Sequence, residues 1–340
     1  MWKTATAAFV LAAAAMAAAQ TAPTPDAEMK AVLDKLATLG GKPITELSAV
    51  DARKQPTPAD AAKAVLKAQG KSTAPQPVGK VQDRTIPGAA GAIPARIYSP
   101  AGEGPFPVLV YFHGGGWVIA NKDVYDASPR ALVTLANCIV VSVDYRQGPE
   151  HTFPAAHDDA VAAYAWVVKN AAELHGDPKK IAVGGESAGG GLAVAVAIAA
   201  RDTGMQAPVH VMSVYPIAGG NTDTESYRQN AAAKPLNKPM MEWFFDKYLR
   251  SAADRKDPRI DLVNANLKAL PPTTIVTAAI DPLRSDGQTL AERLKKAGVE
   301  VEARNYDGVT HEFFGMGAVV AKARDAEQFV ADRLKASFGK

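Results

Sequence analysis

Cysteine is nearly absent: Cys138 stands alone in a chain of 340 residues. A lone cysteine excludes an intrachain disulfide and any cysteine-based metal cluster. It heads the apolar run Cys138-Ile139-Val140-Val141, the setting of a buried core thiol. Charge of one sign is lacking too. The net charge of +3 over the whole chain is too weak a field for nucleic-acid binding. After residue 26 there are no internal repeats, low-complexity tracts or inter-domain linkers. The uncharged, Ala-rich stretch 4–19 has 16 residues, short of the roughly 20 that a transmembrane helix needs.

What is present is ordinary globular composition, 47% hydrophobic and 21% charged, which excludes disordered and fibrous classes. The length suits one large α/β domain or two modest ones, with a substantial core. Met1-Trp2-Lys3, the apolar stretch and Ala17-Ala18-Ala19 before Gln20 read as a cleaved secretory signal over residues 1–19. The expectation is a periplasmic or secreted protein with no stable membrane insertion after cleavage, the alternative being an uncleaved anchor. Residues 20–26, rich in Pro and Thr, read as a loose leader.

From residue 27 the pattern turns helical. Met29, Val32, Leu33, Leu36 and Leu39 recur at spacings of three and four until Gly40-Gly41, and a second helix is expected over 57–69, with Pro58 near its start. Short β-branched runs follow at about 80–86, 92–98, 107–112, 138–144, 180–184, 209–215, 273–279 and 300–305. Most from the third onward are separated by Ala-rich helical stretches, notably 157–174, 188–202, 286–297 and 320–337. Apolar strands alternating with helices predict an α/β fold: a mostly parallel eight-stranded sheet covered on both faces. The first two runs are joined closely enough, through residues 87–91, for an antiparallel hairpin. Residues 217–268 interrupt the alternation, with a helix around Met240–Leu249, and with about 27–75 they are expected to form a cap over the sheet's active edge. Residues 27–340 are expected to form a single α/β domain that includes this cap.

Strand 180–184 runs into Gly185-Glu186-Ser187-Ala188-Gly189 and then a helix. This G-x-S-x-G pattern places a serine on a sharp turn at the carboxyl edge of a sheet, over a helix N-terminus that favours developing negative charge. Chance supplies the pattern in about one chain in ten of this size, so alone it decides little. The strand 107–112, however, ends in His113-Gly114-Gly115-Gly116-Trp117. Three glycines let main-chain N–H groups approach a substrate oxygen, and Gly114, Gly115 and Gly116 with Ala188 are the candidate oxyanion donors. Gly115 and Gly116 with Ala188 are favoured. His113 reads as an anchor for the loop.

The order nucleophile, acid, histidine then selects the base. His175 precedes Ser187, His210 sits in an expected strand, and His311 alone follows a plausible acid. That acid is Asp281, at the carboxyl end of the strand 273–279; the runner-up, Asp286, is expected to cap the following helix.

The chain resembles the hormone-sensitive-lipase family of bacterial carboxylesterases, within the α/β-hydrolases. The resemblance runs from about residue 27 to 338 and rests on His113–Trp117, Gly185–Gly190, Asp281-Pro282-Leu283-Arg284, His311-Glu312-Phe313 and Asp144–Ala156. Glu186 stands where the family often has Asp. Gln147-Gly148 stand where it usually has Leu-Ala, which predicts altered loop packing without loss of chemistry. The resemblance implies Ser187 as nucleophile, His311 as general base and later acid, and Asp281 as the group that orients His311. It also implies a cap and short acyl chains, with Trp117, Trp243 and Phe244 as candidate pocket walls.

The expected reaction is hydrolysis of a small carboxylic ester through an acyl-serine, with no metal or organic cofactor required. Two rivals stay open: an amidase or peptidase using the same triad, and a ligand-binding member without turnover. A homodimer through the helix after residue 320 is one reading of that helix, and packing on its own sheet is the other.

Overall fold

Short side-chain caps and alternating apolar residues set the elements in the computed structural model, which describes residues 23–339. The expected signal over 1–19 and the start of the leader lie outside them. Asp26 accepts from the Met29 N–H at 2.9 Å and starts α1 (Ala27–Thr38). After the short α2 (Ala49–Ala52), Thr57 and Asp60 close a capping box around Pro58 and start α3 (Pro58–Ala68).

The strands are β1 (Lys80–Gly88), β2 (Gly91–Ser99), β3 (Phe106–Phe112), β4 (Ile139–Val143), β5 (Gly176–Glu186), β6 (Val211–Val214), β7 (Thr273–Ile280) and β8 (Val301–Thr310). They form one eight-stranded sheet in the order β1-β2-β4-β3-β5-β6-β7-β8. β2 pairs antiparallel with both of its neighbours and every other pairing is parallel. The expected hairpin is present and tighter than its sequence suggests. β1 runs through Gly88 and β2 starts at Gly91, leaving Ala89-Ala90 as the turn.

The connecting helices are α4 (Ala127–Ala136), α5 (Ala155–Asn170), α6 (Ala188–Thr203), α9 (Arg284–Lys296) and α10 (Ala321–Phe338). The insertion after β6 carries α7 (Glu225–Gln229) and α8 (Lys238–Tyr248). The sequence pattern had not announced α4. It is ten residues long, with Ser128 and Pro129 in its first turn, and it depends on burial of Leu132, Val133 and Ala136 more than on propensity.

Side chains alternate across the sheet with period two. Val108, Val110 and Phe112 of β3 face a core shared with α5, α6, α8 and α9, whereas Leu109 and Tyr111 face one shared with α4, α10, α1 and α3. Met29, Val32, Ala61 and Val65 of the two N-terminal helices are buried in that second core. Cys138 is buried, and burial pushes its thiol up to about 12, as a core thiol requires. Among the described residues no helix is long and apolar enough to cross a membrane.

Candidate active site

Three strand ends bring the candidate residues together. β5 ends at Glu186, and Ser187 follows with φ 57° and ψ −118°, a strained position for a residue with a Cβ, immediately before the first turn of α6. Its N–H donates to the Val214 carbonyl at 2.9 Å and its carbonyl accepts from the Ile217 N–H at 3.2 Å, so the turn is held from the neighbouring strand. Glycine at 189 is a matter of space: a Cβ there would overlap the carbonyl oxygen of Phe112. Loop and elbow are in contact, since a Cβ at Gly114 would come within 3.1 Å of the Glu186 carbonyl oxygen.

Asp281 and His311 meet through a register shift. The β7–β8 pairing places Ala278 opposite Tyr306, then Ile280 opposite Thr310, so two residues of β7 face four of β8. Continued without the bulge, the pairing would set Val309 across from Asp281. The bulge, with Gly308 at φ +69°, advances β8 by two residues and sets His311 there instead.

The result is a relay. Ser187 Oγ lies 2.9 Å from His311 Nε2, and His311 Nδ1 lies 2.7 Å from Asp281 Oδ2. Asp281 Oδ1 accepts from the Leu283 N–H at 2.8 Å. All three side chains are buried. Burial of the imidazole opposes its protonation, but the Asp281 charge and hydrogen bond, aided by Glu312 and Glu186, outweigh it and raise the His311 pKa above its ordinary value. A hydroxyl, an imidazole and a carboxylate so arranged can move a proton off the serine as its oxygen attacks an acyl carbon.

Around the relay lies a set of groups whose contacts the sequence did not show. Glu186, fully buried, accepts from the hydroxyls of Tyr111 (2.5 Å) and Tyr215. Burial, opposed by the hydroxyls of Ser128, Tyr111 and Tyr215, lifts its carboxyl to about 8. The Tyr215 ring packs 4.5 Å from the His311 ring, centroid to centroid. Glu312 Oε1 accepts from Tyr125 Oη at 2.6 Å and lies 3.8 Å from His311 Nε2. Glu186 and Glu312 carried a sequence signal, as parts of the Gly185–Gly189 and His311-Glu312-Phe313 motifs; the tyrosines come from three separate segments.

His113 anchors the oxyanion loop as expected. It is buried, its Nδ1 lies 2.7 Å from the Gly114 carbonyl and Tyr145 Oη donates to its own carbonyl at 2.8 Å. Burial holds its pKa below the ordinary imidazole value. The Gln147-Gly148 substitution shows its packing role. Gln147 Nε2 donates to the carbonyls of Ile119 and Ala120, and the Gly148 N–H to that of Trp117. Arg53, just after α2, donates to the carbonyls of Val118 and Gly148 at 2.8 Å each and clasps Glu150, whose carboxyl that pair pulls down to about 2. The N-terminal segment is thus tied to the loop that carries Gly114–Gly116.

Phe244 of α8 lies directly over Gly116, where a Cβ would overlap its ring. Trp243 packs edge-on against Phe244, 5.4 Å between centroids. Trp117, the third candidate pocket wall, is buried in the core and stacked 5.0 Å from Tyr248, with a left-handed backbone. Asp286 corrects the expectation of a helix cap. α9 has no side-chain cap, and Asp286, buried in its first turn, accepts instead from the N–H groups of Ala218 (3.3 Å) and Gly219 (3.0 Å), holding the chain that leaves β6. His210 is buried, with Ser337 and Thr274 each 2.9 Å from its ring, away from the relay.

Residues 109–315 match the family model described as the alpha/beta hydrolase fold. The carboxylic ester hydrolase LipN of Mycobacterium tuberculosis is 41% identical over 243 residues, 69% of this chain and 65% of LipN. The carboxylesterase NlhH of the same species is 40% identical over 254 residues, 73% of this chain and 79% of NlhH. An esterase from Pyrobaculum calidifontis superposes with a TM-score of 0.81 at 34% identity, covering 88% of this chain and 97% of that structure. The sheet order, the glycine loop, the serine elbow and these matches together make the chain a member of the hormone-sensitive-lipase family of carboxylesterases in the α/β-hydrolase superfamily.

Proposed function

We propose that the chain hydrolyses short-chain carboxylic esters with Ser187 as nucleophile, His311 as general base and then acid, and Asp281 as the carboxylate that orients and neutralises His311. The observation that carries this reading is the relay of 2.9 Å and 2.7 Å contacts through the two nitrogens of His311. The Ser187 proton passes to Nε2 as Oγ bonds to the acyl carbon, and the carbonyl electron pair moves onto oxygen. Gly115, Gly116 and Ala188, with Gly114 behind them, supply the N–H donors for that oxyanion, a contribution worth about 3–4 kcal/mol per donor. Nε2 then hands its proton to the departing alkoxide as the carbon–oxygen bond breaks, and water repeats the cycle on the acyl-serine. No step needs a metal or an organic cofactor.

Phe244 supports a preference for short acyl groups, because its ring stands on the oxyanion loop where a long chain would have to pass. Trp243 forms the layer behind it. The partner is a small-molecule ester. Export is part of the proposal and rests on Lys3 and the apolar stretch 4–19; an exported protein whose mass places its N-terminus far from Gln20 would contradict it. A homodimer through α10 is not needed, since Ala323, Ala326, Val330 and Leu334 are buried within the protomer.

The test is turnover of p-nitrophenyl esters of increasing acyl length beside the matching anilides. Faster cleavage at short acyl lengths, with the ester well ahead of the amide, is the expected result. A preference for the anilide would make the protein an amidase.

A further inference from the structure

The relay leaves one carboxylate on its doorstep without a role. Glu312 follows His311 in the chain and has φ +68°, a left-handed conformation that is strained for a residue with a Cβ. It is tied down by Tyr125, and its Oε1 stands 3.8 Å from Nε2, the nitrogen that faces Ser187. Asp281 meets the ring from the opposite side, at Nδ1. Glu312 also borders a cavity of about 810 Å³ between α3, α4 and α10, on whose wall Tyr125 and Phe314 also lie. A strained backbone that presents a charged group to the reacting nitrogen is more than a packing solution would require.

We propose that Glu312 is a positioning residue that acts through His311, stabilising the imidazolium formed when Nε2 takes the Ser187 proton. The proposal rests on the reading of His311 as the general base. In the step concerned, the Oγ–H bond breaks, Nε2 gains the proton, Oγ bonds to the acyl carbon and positive charge appears on a ring held between two carboxylates. The same charge disappears when the proton moves to the leaving alkoxide, so Glu312 favours the transition states on either side of the intermediate over the neutral ground state.

The groups facing His311 are Asp281 at the end of β7, Ser187 and Glu186 at the β5–α6 elbow, Tyr215 after β6, and Glu312 on its own loop. Asp281 and Glu312 favour the cation, and Glu186 does so in its ionised form. Glu312 in turn faces Tyr125 and His311. Burial lifts its own carboxyl above the ordinary range, while His311 and the Tyr125 hydroxyl oppose that rise.

The experiment is the pH dependence of kcat/KM, with melting temperatures, for the full chain and for Glu312→Gln, Glu312→Gly and His311→Ala. Activity is lost as pH falls and the base takes up its proton, so removing a carboxylate that favours the cation moves the acid limb to lower pH. The expected result is a shift of about half a unit or more in both Glu312 variants, with kcat reduced about three- to tenfold and KM little changed. Glu312→Gly suits φ +68°, which offsets part of the cost of leaving the Tyr125 hydroxyl without its acceptor, and the melting temperatures establish that both variants are folded at the assay temperature. An acid limb that stays put in both variants overturns the proposal, and so does one that moves only in Glu312→Gly, where the backbone and not the charge would be responsible. His311→Ala separates the two readings. Its inactivity, beside an unmoved limb in the Glu312 variants, removes the role of Glu312 alone, whereas a His311→Ala protein with full turnover removes the base itself.

Discussion

Ser187 sits at φ 57° with its Oγ in line with His311, and beneath it Glu186 is locked between two tyrosine hydroxyls. That buried carboxyl has a consequence for stability with a definite sign. Its folded pKa of about 8 exceeds the ordinary carboxylate value, so between those two pH values the native state binds the extra proton. The stability it contributes is complete below pH ~4.5 and is lost as pH rises through about 8. Glu186→Gln removes that slope. Melting temperatures of variant and parent should move apart in the variant's favour from pH 5 to pH 9, and a constant gap would contradict the buried-acid account. Phe244→Ala acts on specificity: taking the ring off Gly116 should raise kcat/KM for octanoyl relative to acetyl esters by about tenfold, a methylene-scale pocket effect, as read in an acyl-length series.

Among the elements, the helices and strands were mostly legible from periodicity, whereas the features that aim the side chains were not. The central strands β3, β4 and β7 fall close to their apolar runs because they are buried, whereas the edge strand β1 buries only Ile86 and is placed by its pairing with β2. α4 escaped because its stability comes from packing. Ser187, Asp281 and His311 could be chosen from motif and chain order. What sequence could not supply was the bulge that slides β8 by two residues and sets His311 opposite Asp281, since register depends on pairing and not on residue type. The roles of Glu186, Tyr111, Tyr125 and Tyr215 were hidden for a related reason, as they join only when four strand ends converge. A further test belongs at this scale. Asp159 of α5 is buried and accepts from the Arg146 guanidinium at 2.8 and 2.9 Å, from the Arg146 N–H and from the Ala89 N–H in the β1–β2 turn, each at 3.0 Å. Asp159→Ala would strand those donors and should cost about 3 kcal/mol in denaturant unfolding, against under 1 kcal/mol if the pair were only a surface contact.

Over the whole molecule, α1 and α3 pack on one face of the sheet, and α2 and the insertion after β6 on the other. α1 and α3 bury Met29, Val32, Ala61 and Val65 beside Tyr306, Val309 and Val320, while α8 brings Phe244 onto the oxyanion loop. A chain beginning at Gly70 would expose that apolar surface and lose the Arg53 clasp on Val118 and Gly148. It should bind a hydrophobic dye and fall to a small fraction of parental turnover; a truncated protein that stays monomeric and fully active would show these helices to be dispensable. The central claim is that one serine, at the junction of all these parts, carries the acyl group. Its most direct test is to inactivate the protein with an organophosphate ester and map the adduct by peptide mass spectrometry. The expected result is a single phosphoryl group on the peptide containing Ser187, with ester turnover lost in proportion to labelling. Turnover that survives complete labelling of Ser187, or inactivation with the adduct on another residue, would contradict it.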